Sequence, residues 1–147
     1  MSDECRVLVD AGVCKMRTLI TAREDMGLVH LDIKSDCPNV LRLSWGLEPI
    51  SAFSEVEANI HASEIYKLAD ERIPHAACPV MAGIIKAIEV AGGLGLKRDC
   101  SIHFVEPDEV VDVKRRGSAP PFRPPGKGRS AFRVGIHIFT SKYIQLP

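Results

Sequence analysis

Cysteines are the residues of this chain whose types and spacing could do chemistry. Asp36-Cys37-Pro38 and Ala77-Cys78-Pro79 repeat one device, a cysteine directly before a proline that opens a helical pattern. Proline favours the first helical position because its missing N–H would have no intrahelical partner there. Each cysteine therefore falls at or next to a helix N-cap, where free backbone N–H groups and the helix dipole favour a thiolate by about 0.3 to 1 kcal/mol. Cys14 follows Ala11-Gly12-Val13 at the mouth of a strand, and His75 follows Pro74 in a turn just ahead of Cys78. Cys14, Cys37, Cys78 and His75 form a three-cysteine, one-histidine set suited to tetrahedral zinc or to an iron-sulfur cluster. The spacings, 23 residues and then 41, are too wide for one knuckle, so the fold must assemble any such site. The competing reading makes each Cys-Pro a small capping pair and the cysteines structural.

Other candidates carry less. Cys5, near the start of the chain, and Cys100 have no motif around them. His30 and His103 alternate with apolar neighbours and read as solvated faces of strands, while His61 and His137 belong to no pattern. Gly92-Gly93-Leu94-Gly95 follows a helix instead of opening one, so it is a helix stop and not a phosphate loop. Cys78 with His75 could form a thiol nucleophile pair, which would need an orienting third residue and an oxyanion site. No hydrolase, kinase or dinucleotide signature is present.

The elements that must position the cysteines follow from periodicity. Met16 to Arg23 is a strand candidate, Glu24-Asp25-Met26-Gly27 supplies turn chemistry, and Leu28 to Lys34 alternates with Val29, Leu31 and Ile33 on one face. Pro38 to about Trp45 predicts a short helix. Ser54-Glu55-Val56-Glu57 has the spacing of a capping box, so a second helical stretch is expected from there, with a break, to Arg72. The clearest helix starts at Pro79, carries Met81, Ile84, Ile85 and Ile88 on one stripe, and stops at Gly92-Gly93. Ser101 to Val105 alternates again and predicts a further strand. The expected class is α+β, a small antiparallel sheet made of an N-terminal hairpin plus a later strand, packed against helices.

This order of elements resembles the IscU/NifU-type iron-sulfur cluster scaffold fold. The likeness covers roughly Gly12 to Gly93. It rests on Cys14 at the hairpin, on the strand leading into Ser35-Asp36-Cys37, and on Ile73-Pro74-His75-Ala76-Ala77-Cys78 leading into Pro79-Val80-Met81-Ala82-Gly83-Ile84-Ile85-Lys86-Ala87-Ile88. The resemblance implies that the three cysteines gather at one end of the molecule with a histidine beside the third, and that iron-sulfur assembly or recipient proteins are the partners. The chain departs from the scaffold pattern at three places. Lys15 and Met16 stand where scaffolds have a Gly-Asp pair, His75 lies three residues ahead of the third cysteine, and Glu71-Arg72-Ile73-Pro74 replaces the chaperone-recognition motif. Holding a cluster or zinc fits all three departures better than passing a cluster on. His75 to Gly93 is also similar to a small uncharacterised domain family of archaea and anaerobic bacteria.

Composition bounds these readings. The 147 residues carry nineteen basic and nineteen acidic side chains, and 46% are hydrophobic, which is enough for one core. The zero net charge is a cancellation: residues 1–105 hold fifteen acidic and eleven basic side chains, and residues 106–147 hold four and eight. The expected organisation is therefore a mildly acidic metal-binding domain over 1–105 and a basic, Pro/Gly-rich linker and tail over 106–147. Lys114 to Arg133 has seven basic residues, no acidic ones and four prolines, and reads as an extended linker able to touch RNA weakly through phosphates. Phe132 to Tyr143 could add a strand. With aromatics at only 5%, stacking surfaces for nucleic acid are few. No apolar run approaches the roughly 20 residues of a membrane span, and the polar start lacks the order of a signal peptide, so a cytoplasmic protein with free thiols and no membrane partner is expected. The alternative to a metal protein is a non-catalytic interaction module with structural cysteines and a basic partner-binding tail.

Overall fold

A computed structural model of the chain describes residues 4–113. Three strands, β1 (Cys5–Asp10), β2 (Arg17–Asp25) and β3 (Leu28–Ser35), are followed by four helices, α1 (Pro38–Ser44), α2 (Ala52–Val56), α3 (Glu64–Arg72) and α4 (Val80–Ala91). The strands form one antiparallel sheet in the order β1-β2-β3. The class is α+β, as the periodicities predict. No helix among the described residues is long and apolar enough to cross a membrane.

The β2–β3 hairpin closes through two residues, Met26 and Gly27, between the paired Asp25 and Leu28. Both have positive φ, 48° and 86°, the requirement of a turn that follows the strand twist. The Glu24 carboxylate accepts from the Gly27 N–H at 2.6 Å and holds the turn. Period-two alternation then sends Thr18, Ile20 and Ala22 of β2 and Val29 and Ile33 of β3 to the buried face.

Helix α4 covers that face with Met81, Ile84, Ala87 and Ile88. Gly83 permits the close approach, because a Cβ there would run into Val9 of β1. At its far end the Leu94 N–H reaches Glu89 O and the Gly93 N–H reaches Val90 O, with Gly93 at φ 71°, which is a Schellman stop. The glycine pair therefore ends the helix as expected.

Three expectations need correction. Cys5–Asp10 is a strand and Cys5 is a core residue, not a loose terminal thiol, because β1 pairs with β2 along its whole length. The capping residue of α2 is Ser51, whose hydroxyl accepts from the Ser54 N–H, so Ser54 lies inside the helix. After the break, α3 starts afresh on Ser63. Ser101 to Val105 forms no strand; Ile102 and Phe104 are 84% and 101% exposed, an alternation that meets no sheet edge. A boundary between compact units falls between Ser101 and Ile102. The expected linker from Lys114 and the strand from Phe132 to Tyr143 lie outside the described residues.

Candidate metal centre

Strand pairing decides where the first two cysteines stand. Asp10 pairs with Arg17 and Thr18 pairs with Ser35, so the β1–β2 loop and the exit of β3 share one end of the sheet. Cys14 is exposed in the tight turn of that loop. Gly12 at φ 81° and Lys15 at φ 58° reverse the chain, the Lys15 N–H donates to Gly12 O at 2.8 Å, and the Asp10 carboxylate takes the Gly12 N–H at 2.9 Å.

Cys37 is the N-cap residue of α1, in extended conformation. A small polar clamp sets its position. The Asp36 N–H donates to Arg17 O at 3.0 Å, and the Arg17 N–H donates back to the Asp36 carboxylate at 3.1 Å. Ser35 Oγ accepts from the Cys37 N–H at 3.1 Å and shares a hydrogen bond with Thr18 Oγ1 at 2.7 Å. Sequence reasoning named Cys37 and passed over the clamp. Its signal was the polar pair Ser35-Asp36, which ends the strand directly ahead of a Cys-Pro helix start.

Cys78 stands one residue before Pro79, which is itself the N-cap of α4. Because α4 passes Val9 near the end of β1, its start belongs to the same end of the molecule as the β1–β2 loop. Cys37 and Cys78 are half-buried against the core. The Cys78 thiol is pushed up from its ordinary value chiefly by burial, against which the Val80 backbone N–H pulls it back, and the neighbouring Cys37 and Cys14 add smaller upward contributions. This corrects the expectation that a helix start makes Cys78 more acidic: burial outweighs the Val80 N–H.

The fold therefore brings Cys14 and Cys37, each on a separate element, within electrostatic reach of Cys78. His75 stands exposed in the α3–α4 connection. Among the described residues, no three His, Cys, Asp or Glu side chains are placed as a ready-made ligand set. All five cysteines are free thiols. Cys5 is buried and raised by that burial, with Lys97 opposing, and Cys100 is exposed.

No curated protein and no solved structure matches the chain. Residues 5–104 match the family of unknown function DUF6951, a span that holds the whole sheet, all four helices and Cys14, Cys37 and Cys78. The chain belongs to that family.

Proposed function

We propose that this protein binds a thiophilic metal, as zinc or as an iron-sulfur cluster, through Cys14, Cys37 and Cys78, with His75 as the fourth donor. What supports the reading is three free thiols, each on a different element, carried at the end of the sheet where the β1–β2 loop, the exit of β3 and the start of α4 lie. Thiolate sulfur is a soft donor and selects zinc, copper(I) or iron-sulfur clusters over the hard cations. Like charge is what such a group works against, and what a bound cation supplies is compensating positive charge at the sulfurs. The chain's own residues contribute position. The Ser35-Asp36 clamp holds Cys37, the seat of α4 on β1 and β2 holds Cys78, and the Val80 N–H stabilises the Cys78 thiolate.

Sulfurs sharing one ion at about 2.3 Å each must lie closer together than the free thiols do. Cys14, exposed on its turn, and His75, exposed in its loop, are the donors with the least packing to lose in closing that gap. The resemblance to IscU/NifU-type scaffolds favours a cluster, with assembly or recipient proteins as partners, whereas Met16 in place of the scaffold aspartate favours retention over transfer.

Anaerobic purification followed by iron, sulfide and zinc analysis tests the proposal. Iron with matching sulfide, or one equivalent of zinc, is expected. Protein that takes up neither after reconstitution would overturn it.

A further inference from the structure

Among the described residues, β1 has the open edge of the sheet. β2 is paired on both sides, and the outer edge of β3 is partly closed by a bridge in which Val29 and Ile50 exchange N–H···O bonds of 2.7 and 3.0 Å. No strand among residues 4–113 pairs with the outer edge of β1. Such an edge presents a row of unpaired N–H and C=O groups, and sheets usually guard it with proline, a bulge or rows of lysine. Cys5–Asp10 has none of these, and all six residues keep regular register with β2.

The side chains of β1 are self-complementary. Cys5, Val7 and Val9 turn toward the packed face, while Arg6, Leu8 and Asp10 occupy the open one, where Leu8 is 61% exposed despite being apolar. Arg6 and Asp10 stand two residues on either side of Leu8. Two copies of β1 laid antiparallel about Leu8 put Leu8 opposite Leu8, Val7 opposite Val9, and Arg6 opposite Asp10 twice, once on each side of the axis. A slip of one residue turns every side chain to the wrong face. Centring the pair on Val7 instead sets Arg6 against Leu8, and centring it on Val9 sets Asp10 against Leu8, so only the Leu8 register matches charge with charge.

We propose that the chain self-associates as a two-fold dimer through β1, with Leu8 on the axis, so that the two three-stranded sheets become one continuous sheet. The occupant is a second copy because the pattern is complementary to itself, which is what an isologous interface requires. Opposite charges directly across an antiparallel pair are favourable, and like charges there oppose pairing.

Sedimentation equilibrium of the full chain, run beside R6D, D10R and an equimolar mixture of the two, tests this. Each single variant sets like charges opposite each other at both positions, while the mixture restores both opposite-charge pairs. The wild type is expected to dimerise in a concentration-dependent way, each single variant to raise the dimer Kd by about tenfold or more, and the mixture to form a heterodimer of wild-type strength. Circular dichroism identical to wild type shows that the variants fold. A wild type still monomeric at about 100 μM, weak even for a small interface, would overturn the proposal. So would single variants that dimerise like the wild type, or a mixture that stays monomeric.

Discussion

Helices α2 and α3 begin on serines whose hydroxyls accept backbone N–H groups, whereas α1 and α4 begin beside cysteines and have no side-chain cap. At the first pair, polar side chains do structural work. Buried Glu55, on α2, takes the Ser63 hydroxyl and the Ile65 N–H on one oxygen and the Glu64 N–H at 2.9 Å on the other, so one carboxylate ties α2 to the start of α3. At the second pair the cysteines contribute little to helix initiation, and α4 is seated by apolar contact and by Gly83. The difference separates residues held by the needs of folding from residues whose chemistry remains free.

That contrast predicts unequal costs, measured as changes in urea unfolding free energy. Glu55→Ala strands a buried hydroxyl and two backbone N–H groups and should cost the most, about 3 kcal/mol, with Glu55→Gln recovering part because its carbonyl still accepts. Gly83→Ala drives a methyl into Val9 and should cost about 2 kcal/mol, which would show that α4 is placed by close approach. Ser63→Ala should cost about 1 kcal/mol, against less than about 0.5 kcal/mol for Cys37→Ala, whose side chain makes no cap bond. A Cys37→Ala variant as damaged as Ser63→Ala would erase the distinction.

The smallest effect is in pH. Cys5 and Cys78 are both raised in the folded state above the ordinary value of 9.0. Between the unfolded and folded values the unfolded chain has lost a proton that the folded chain keeps. Stability is therefore fully present below pH 9.0 and declines as pH rises through the folded values. Unfolding curves at about pH 8 and about pH 10 should show that fall, and Cys5→Ala should flatten it.

Much of the fold was legible because local signals agreed. The turn at Met26-Gly27, the alternation of Val29, Leu31 and Ile33, and the glycine stop after Ala91 are short-range features that tertiary structure had no reason to override. β1 was missed because its six residues mix a buried cysteine with Arg6, Leu8 and Asp10 on an open face, and only pairing with β2 makes them a strand. Ser101 to Val105 shows the reverse: alternation alone does not make a strand when no edge receives it. At the candidate site the three cysteines were legible from their place before helices and in a turn. The rise at Cys78 was not, since it comes from burial and from neighbours 41 and 64 positions away in sequence.

Cobalt(II) titration tests the metal proposal most directly, because thiolate-to-cobalt charge-transfer absorption appears only when cysteine sulfur binds the ion. The wild type should saturate at one equivalent with strong charge-transfer bands, each of C14S, C37S and C78S should weaken them, and C5A and C100S should leave them unchanged. No charge-transfer absorption in the wild type, or full wild-type absorption in the triple Cys14, Cys37, Cys78 to Ser variant, would contradict the assignment.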